Sequence, residues 1–403
     1  MNTTRDKKPH IGVIGRCNVG KSTLINLLVG QEVSIVSSQR GTTTDSVKKT
    51  MELKDIGPVV LIDTAGIDDD SILGEKRVEK AFEVISQIDL AIIAFNNDFG
   101  NEEENIINEL KRFDTPYILV YTKSDQSPIR KDLKATIENK YKKSIIECSQ
   151  NDKTSIITLT KHIKDNIPAS AYQKKGILKG IIKKDDVVLL VTPIDSSAPE
   201  GRMILPQVQL IRDVLDNDAI NIVVKETELE YVLKNVYKKP SLVITDSQAF
   251  EYVSKIVDKD IPLTSFSIVL ARVKGMFDEY LKGTPFLDEL NNGDRILMLE
   301  SCSHQPSCED IGRVKLPMWI EKYTKKKLKF DAVAGLSSLK RPITDYKMVI
   351  QCGGCMVSEK QLRGRLIPAL ENNIPISNYG IAIAYINGIF HRATKVFSKK
   401  TQK

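Results

Sequence analysis

The sequence has 403 residues, too many for one ordinary domain, so two or three domains are expected. Hydrophobic residues make up 41% and charged residues 28%, a globular balance, and no apolar run reaches the roughly 18–20 residues of a membrane-spanning helix. The net charge of +7 arises from 59 basic and 52 acidic side chains spread along the chain, which argues against a dedicated nucleic-acid surface.

The start, "MNTTRDKKPH", is polar and a strand-like segment follows at once, so we expect no signal peptide and a cytoplasmic protein with no membrane partner. The most apolar stretch, "YGIAIAYINGIF" (379–390), is too short to span a bilayer. The basic clusters "KYTKKKLKF" (322–330) and "KVFSKKTQK" lack aromatic interleaving and read as solvated faces rather than nucleic-acid patches. Six cysteines do not make a disulfide framework in a chain of this length. In a reducing compartment, a close cysteine pair points to metal or redox chemistry.

The segment "HIGVIGRCNVGKSTLINLLVG" (10–30) reads as strand, loop and helix. Its loop, Gly15-Arg16-Cys17-Asn18-Val19-Gly20-Lys21-Ser22, is G-x-x-x-x-G-K-S, followed by Thr23. Backbone N–H groups of such a loop curl around phosphate oxygens, and the helix adds its positive end. Lys21 is expected to reach the β- and γ-phosphates and Ser22 to hold Mg²⁺. Four further segments follow in the order of a GTP switch. "RGTTTD" (40–45) offers Thr43, with Thr42 as the alternative, to close over Mg²⁺ and the γ-phosphate. "VVLIDTAG" (59–66) is an apolar strand ending in D-x-x-G: Asp63 would support Mg²⁺ through water, and the Gly66 N–H would sense the γ-phosphate. "YILVYTKSD" (117–125) is a strand ending in T-K-x-D. Asp125 can accept two hydrogen bonds from guanine, which adenine cannot supply, and Lys123 would lie along the base. "IIECSQ" (145–150) would place Ser149 near the guanine oxygen. Lys21, Thr43 and Gly66 are the candidate catalytic residues; the cofactors are GTP and Mg²⁺.

These residues resemble the GTPases of the Era/TrmE group. The resemblance implies potassium-stimulated hydrolysis, because Asn18 stands at the P-loop position linked to K⁺ in that group. Ile67 follows Gly66 where Ras-like proteins carry a water-orienting glutamine, so intrinsic hydrolysis is expected to be slow. Thr122 departs from the group's usual asparagine, but a threonine hydroxyl can still tether the P-loop.

After "NIPASAYQKKG" (166–176) an α/β pattern restarts. "DVVLLVTPID" (186–195) reads as a strand, and "ILPQVQLIRDVLDN" (204–217) has helical spacing at Ile204, Val208, Ile211 and Leu215. Strand and helix alternate through "AINIVV", "ELEYVLKNV", "PSLVIT" and "QAFEYVSKIV", which implies a mostly parallel sheet covered by helices. "PIDSSAPEGRMILPQVQ" (193–209) is polar and reads as a structural or dimerising loop, with an active-site loop as the alternative.

In the last third, the strand "RILMLE" runs into Cys302-Ser303-His304, and the strand "MVI" runs into "QCGGCM" (351–356), with Cys352 and Cys355. Ligands in an open α/β sheet collect at the carboxyl ends of strands, so Cys302, Cys352 and Cys355 form a plausible converging site. Three chemistries compete there: a redox disulfide at a helix start, a Cys₃His zinc site that includes His304, and a three-cysteine iron–sulfur cluster.

"CSHQPSCEDIGRVKLP", "QCGGCM" and "PISNYGIAIAYINGI" resemble the cluster domain of the FeFe-hydrogenase maturation GTPases, the HydF family. "TPIDSSAPEGRMILPQVQLIRDVLD" resembles that family's dimerisation domain. The resemblance runs through nearly the whole chain and implies an α/β protein of three parts. These are an N-terminal P-loop GTPase domain (1–170), a dimerisation domain (171–272) and an iron–sulfur cluster-binding domain (273–403). Carried over residue by residue, Cys302, Cys352 and Cys355 match the cluster cysteines and His304 matches the histidine of the family's C-x-H. Gln351 stands where the family usually has a histidine, and Cys308 is an extra cysteine expected to be a bystander. The implied role is a homodimeric scaffold or carrier. It would hold a 4Fe–4S cluster and the two-iron precursor of the hydrogenase active site. Its implied partners are the radical-SAM maturases and apo FeFe-hydrogenase. A zinc interaction protein and an RNA- or ribosome-associated GTPase are the alternatives. Three cysteines leave one iron without a thiolate. We expect a labile oxygen or nitrogen ligand there: His304, or Glu300, whose carboxylate period-two alternation would aim to the side of Cys302, with water as the further alternative.

Overall fold

The computed structural model describes residues 8–30, 37–39, 47–53, 56–64, 66–67, 83–150, 152–172, 176–193, 203–301 and 310–397. Thr43, Cys302, His304 and Cys308 lie outside the described residues, as does most of the polar loop after Pro193. The chain divides into two compact units, Met1–Lys174 and Lys175–Lys403.

The first unit is built on a seven-stranded sheet in the order β2-β3-β4-β1-β5-β6-β7. Its strands are β1 (His10–Ile14), β2 (Ser37–Gln39), β3 (Val47–Leu53), β4 (Gly57–Asp63), β5 (Leu90–Phe95), β6 (Tyr117–Tyr121) and β7 (Ile145–Glu147). From β4 to β7 neighbours run parallel, while β2 and β3 are antiparallel additions at one edge. The sequence of β5, LAIIAF, has no polar residue, and all six side chains are buried. That is what a central parallel strand covered on both faces requires. The helix Asn101–Arg112 buries Glu103, Ile106, Ile107 and Leu110, one stripe at helical spacing, with an acidic side chain at its head.

The second unit holds two four-stranded sheets. One contains β8 (Val187–Val191), β9 (Ile220–Val224), β10 (Leu242–Thr245) and β11 (Leu263–Ser265) in the order β11-β10-β8-β9. The other contains β12 (Arg295–Leu299), β13 (Lys329–Val333), β14 (Met348–Gln351) and β15 (Ile376–Asn378) in the order β13-β12-β14-β15. Every pairing in both sheets is parallel. Counted within its own sheet, each reads second, first, third, fourth, so the two share one topology. The strand order reverses between β8 and β10 in one sheet and between β12 and β14 in the other, and such points open a crevice at the strands' carboxyl ends. A single apolar core runs through both sheets: Leu189 and Val243 of one and Met298 and Ile350 of the other belong to the same buried cluster. The apolar stretch near the C-terminus forms the helix Tyr379–Ile386, whose first six residues are buried in that core. Among the described residues no helix is long and apolar enough to cross a membrane.

Candidate functional site

The nucleotide-site residues gather at the carboxyl ends of β1, β4 and β6. Gly15 follows β1, and Gly20, with φ +98°, caps the helix Lys21–Val29. Asn18 also takes the left-handed conformation, at φ +56°. The Lys21 side chain is 8% exposed and folds back so that Nζ donates to the carbonyls of Gly15 (2.9 Å) and Arg16 (2.6 Å). The ammonium is thereby stored inside the loop whose phosphates it would read. Ser22 Oγ donates to Asp63 Oδ2 at 2.7 Å, joining the P-loop to the end of β4. Asp63 Oδ1 is buried without a hydrogen-bond partner among the described residues. A hydroxyl and a carboxylate side by side, with a spare oxygen, suit a hard Mg²⁺ ion. Gly66 packs directly on the P-loop, since a Cβ there would stand 2.1 Å from Cys17 Sγ and 2.8 Å from its backbone nitrogen. Ile67 beside it is buried.

The base end is equally organised. Thr122, at 4% exposure, donates its hydroxyl to the Val19 carbonyl and lies 3.2 Å from the carbonyl of Phe95. Lys123 sits at φ +55° and its Nζ donates to the Asn18 carbonyl at 2.7 Å. Both residues after β6 therefore hold the P-loop backbone. Thr23, Thr122, Lys123, Asp125 and Ser149 line one cleft, Asp125 exposed and Ser149 buried. Cys148, unremarked in the sequence, lines it too, and burial pushes its thiol up to about 11, so it stays neutral. A second feature missed by sequence reading is Arg16. Its Nε and Nη2 meet the Glu103 carboxylate at 2.8 and 2.7 Å, and Glu103 is fully buried. The signal was present as an acidic residue on an otherwise apolar helical stripe.

In the second unit, β12 and β14 are parallel neighbours in register Leu299 with Gln351, and the Cys352 N–H extends the ladder to the Leu299 carbonyl at 2.9 Å. The strand that leads to Cys302 and the strand that leads to Cys352 thus end side by side at the reversal point of the sheet. Cys352 and Cys355 are both half-buried. Cys352 Sγ receives the Ser301 N–H at 3.1 Å, lies 2.9 Å from Ser301 Oγ, and has Gln351 Nε2 at 3.5 Å. Gln351 is fully buried; its Nε2 also faces the Leu299 carbonyl at 3.2 Å, and its Oε1 has no partner among the described residues. Gly354 has φ +72°, and a Cβ there would stand 2.2 Å from Leu362 Cδ1, so the turn between the cysteines needs glycine. The next helix begins at Glu359 with Ser358 as its cap, so the C-x-x-C lies ahead of the helix rather than on its first turn.

Glu300 follows β12 and is 2% exposed. Its Oε2 accepts from Arg313 Nε (2.9 Å) and Nη2 (2.7 Å), while Oε1 is buried with no hydrogen-bond partner among the described residues. Arg365 adds bonds to the carbonyls of Glu300 (2.7 Å) and Val333 (3.1 Å), and its burial pulls the guanidinium below its usual value. Among the described residues no three His, Cys, Asp or Glu side chains gather around one point. The chemistry of the cysteine loop nevertheless suits a thiolate-held cluster: Cys352 and Cys355 follow the strand that pairs with the one leading to Cys302, and N–H groups are aimed at one sulfur, whereas Glu300 is not gathered with the two thiols.

Comparison with known families agrees with this division. Residues 177–275 match the hydrogen maturase F dimerization domain and residues 278–396 match the hydrogen maturase F tetramerization domain. The chain belongs to the HydF family. Residues 10–123 match the 50S ribosome-binding GTPase model, so an N-terminal P-loop GTPase domain precedes the family's two oligomerisation domains. Among curated relatives, GTPase Era of Ruminiclostridium cellulolyticum is 36% identical over 170 residues, 40% of this chain and 56% of the relative. The tRNA modification GTPase MnmE of Helicobacter acinonychis is 30% identical over 203 residues, 49% of this chain and 44% of the relative. The chain spans about half the length of the curated relatives it matches. A solved structure of Aquifex aeolicus Era bound to GDP and aluminium fluoride has a TM-score of 0.35 at 20% identity, covering 62% of this chain and 98% of that one.

Proposed function

We propose that this protein is a GTP-hydrolysing scaffold that holds a 4Fe–4S cluster on Cys302, Cys352 and Cys355 and assembles or delivers the two-iron precursor of the FeFe-hydrogenase active site. The observation that carries the reading is the side-by-side ending of β12 and β14, with hydrogen-bond donors converging on Cys352 Sγ. When bound, the cluster supplies an iron whose non-cysteine position exchanges ligands. The protein's own part is to hold the thiolates, offer N–H groups to sulfur, and keep the surrounding strand ends closed. Glu300 and His304 are the proposed labile ligands. Glu300 already gives one carboxylate oxygen to Arg313, which leaves Oε1 for a metal.

At the other end of the chain, Lys21 would swing from the loop carbonyls onto the phosphates. Ser22, with Asp63 and Thr43, would hold Mg²⁺, and Asp125 would select guanine. With isoleucine at position 67 nothing there orients the attacking water, so hydrolysis would be slow; Asn18 underlies the proposed stimulation by K⁺. GTP would time the exchange of partners, the radical-SAM maturases and apo-hydrogenase, within a cytoplasmic homodimer or larger assembly. The deciding experiment is anaerobic reconstitution with iron and sulfide. A brown protein that hydrolyses GTP supports the reading. A colourless protein that retains zinc on the same cysteines replaces it with a zinc-binding interaction protein.

A further inference from the structure

Lys274 ends the helix Phe266–Lys274, within the segment matched as the dimerization domain. Its Nζ lies 3.0 Å from the Gly354 carbonyl and 3.3 Å from those of Cys355 and Val357. All three acceptors belong to the cysteine loop of the following domain. An ammonium carries three N–H donors, and here three loop carbonyls face it. Within the loop the Val357 N–H also meets the Gly354 carbonyl, at 3.4 Å. The same helix meets the loop at its other end. Ser267 Oγ donates to Asn378 Oδ1 at 3.1 Å, and Asn378 Nδ2 donates to the Gln351 carbonyl at 3.0 Å. A Cβ on Gly353 would rest 3.5 Å from Ser267 Oγ. One helix of the oligomerisation segment therefore underlies the loop from Gln351 to Val357.

We propose that Lys274 is a positioning residue for the cluster, fixing the backbone of Cys355, and that the helix Phe266–Lys274 thereby ties the cysteine loop to the dimerization domain. The inference rests on the cluster reading above. Cys355 stands beside a left-handed glycine, so its thiol is presented correctly only while the loop keeps this shape. Groups that orient metal ligands from behind typically carry about 10- to 100-fold of metal affinity.

The test uses the full chain with Lys274→Met, which keeps the stem and removes the donors, and Lys274→Gln, which reaches less far. Two quantities are read: the rate at which a chelator strips iron from reconstituted protein, and amide hydrogen exchange over residues 352–357 in the iron-free chain. The expected result is iron loss about 10- to 100-fold faster in Lys274→Met, with faster exchange confined to the loop and Lys274→Gln between it and the parent. Parent-like exchange and iron retention in Lys274→Met overturn the proposal. Should Lys274→Met lose its fold by circular dichroism, parent-like behaviour of Lys274→Gln overturns it instead. If the parent chain takes up no iron, the cluster reading fails, and the exchange measurement alone still decides whether Lys274 holds the loop.

Discussion

Arg16 and Glu103 form a bidentate ion pair, Nε to Oε1 at 2.8 Å and Nη2 to Oε2 at 2.7 Å, with the carboxylate fully buried. Glu103 also accepts the Gly100 N–H at 2.8 Å, so one carboxylate caps a helix and holds the P-loop. The Arg16 carbonyl in turn accepts from Lys21 Nζ. Removing one partner of a buried pair strands the other, at roughly 3–5 kcal/mol for a fully buried case. Arg16 is 26% exposed and its Nη2 also meets Glu102 Oε2 at 3.0 Å, so it keeps a carboxylate partner and the cost for Glu103→Gln is set lower, at about 2 kcal/mol. Thermal unfolding should show that loss, and titration with a fluorescent GTP analogue should show weaker binding. A variant that matches the parent in both measurements would remove Glu103 from the account.

The Thr122 hydroxyl ties the loop after β6 to the Val19 carbonyl. Thr122→Val keeps the shape and leaves that buried carbonyl without its donor, a cost of about 1–3 kcal/mol. Nucleotide affinity should fall by about tenfold, the equivalent of 1.4 kcal/mol. Thr122→Asn, which restores a donor, should recover most of it. Equal binding by the valine and asparagine variants would show that the tether is not what positions the loop.

The two glycines between the cysteines should respond differently. Gly354 has φ +72° and Leu362 within 2.2 Å of any added Cβ, whereas a Cβ on Gly353 would meet no atom nearer than 3.5 Å among the described residues. Gly353→Ala should bind iron as the parent does, and Gly354→Ala should lose most of it. Similar iron contents in the two variants would mean that the loop binds metal in some other shape.

The proposed roles of Asp125 in base selection and of Lys21 in phosphate reading are separable by substitution. Asp125→Asn should bind XTP in preference to GTP, and Lys21→Ala should lose tight binding of both, as judged by equilibrium titration. Hydrolysis by the parent should run faster in K⁺ than in Na⁺. Equal rates in the two salts would remove Asn18 from the mechanism.

Much of this architecture is legible in the chain itself. The P-loop, D-x-x-G and T-K-x-D segments sit where their flanking apolar runs place them, because each is a local strand-to-loop signal. The strands before Cys302 and Cys352 are legible for the same reason. What local pattern cannot carry is pairing across the chain. That β12 and β14 are neighbours depends on sheet order, and that Lys274 reaches Gly354 depends on packing between residues 80 positions apart. Glu300 shows the difference sharply. Period-two alternation made it a candidate metal ligand, whereas the structure turns one of its oxygens to Arg313, a partner that no spacing rule names. The shared topology of the two four-stranded sheets is likewise hidden, since β13 and β15 do not read as strands and the order in which strands pair has no local signal.

In the function proposed here, one chain joins an independent GTP switch to a three-cysteine iron–sulfur site. Its most direct test is iron content, reduced-state EPR and GTP hydrolysis measured together on anaerobically reconstituted parent, Cys302→Ala, Cys352→Ala and Cys355→Ala proteins. The account predicts about four irons per parent chain, loss of that cluster signal in each cysteine variant, and GTP hydrolysis within a few-fold of the parent throughout. A parent chain that forms no cluster, or a cysteine variant that keeps the parent's iron and EPR signal, would contradict it.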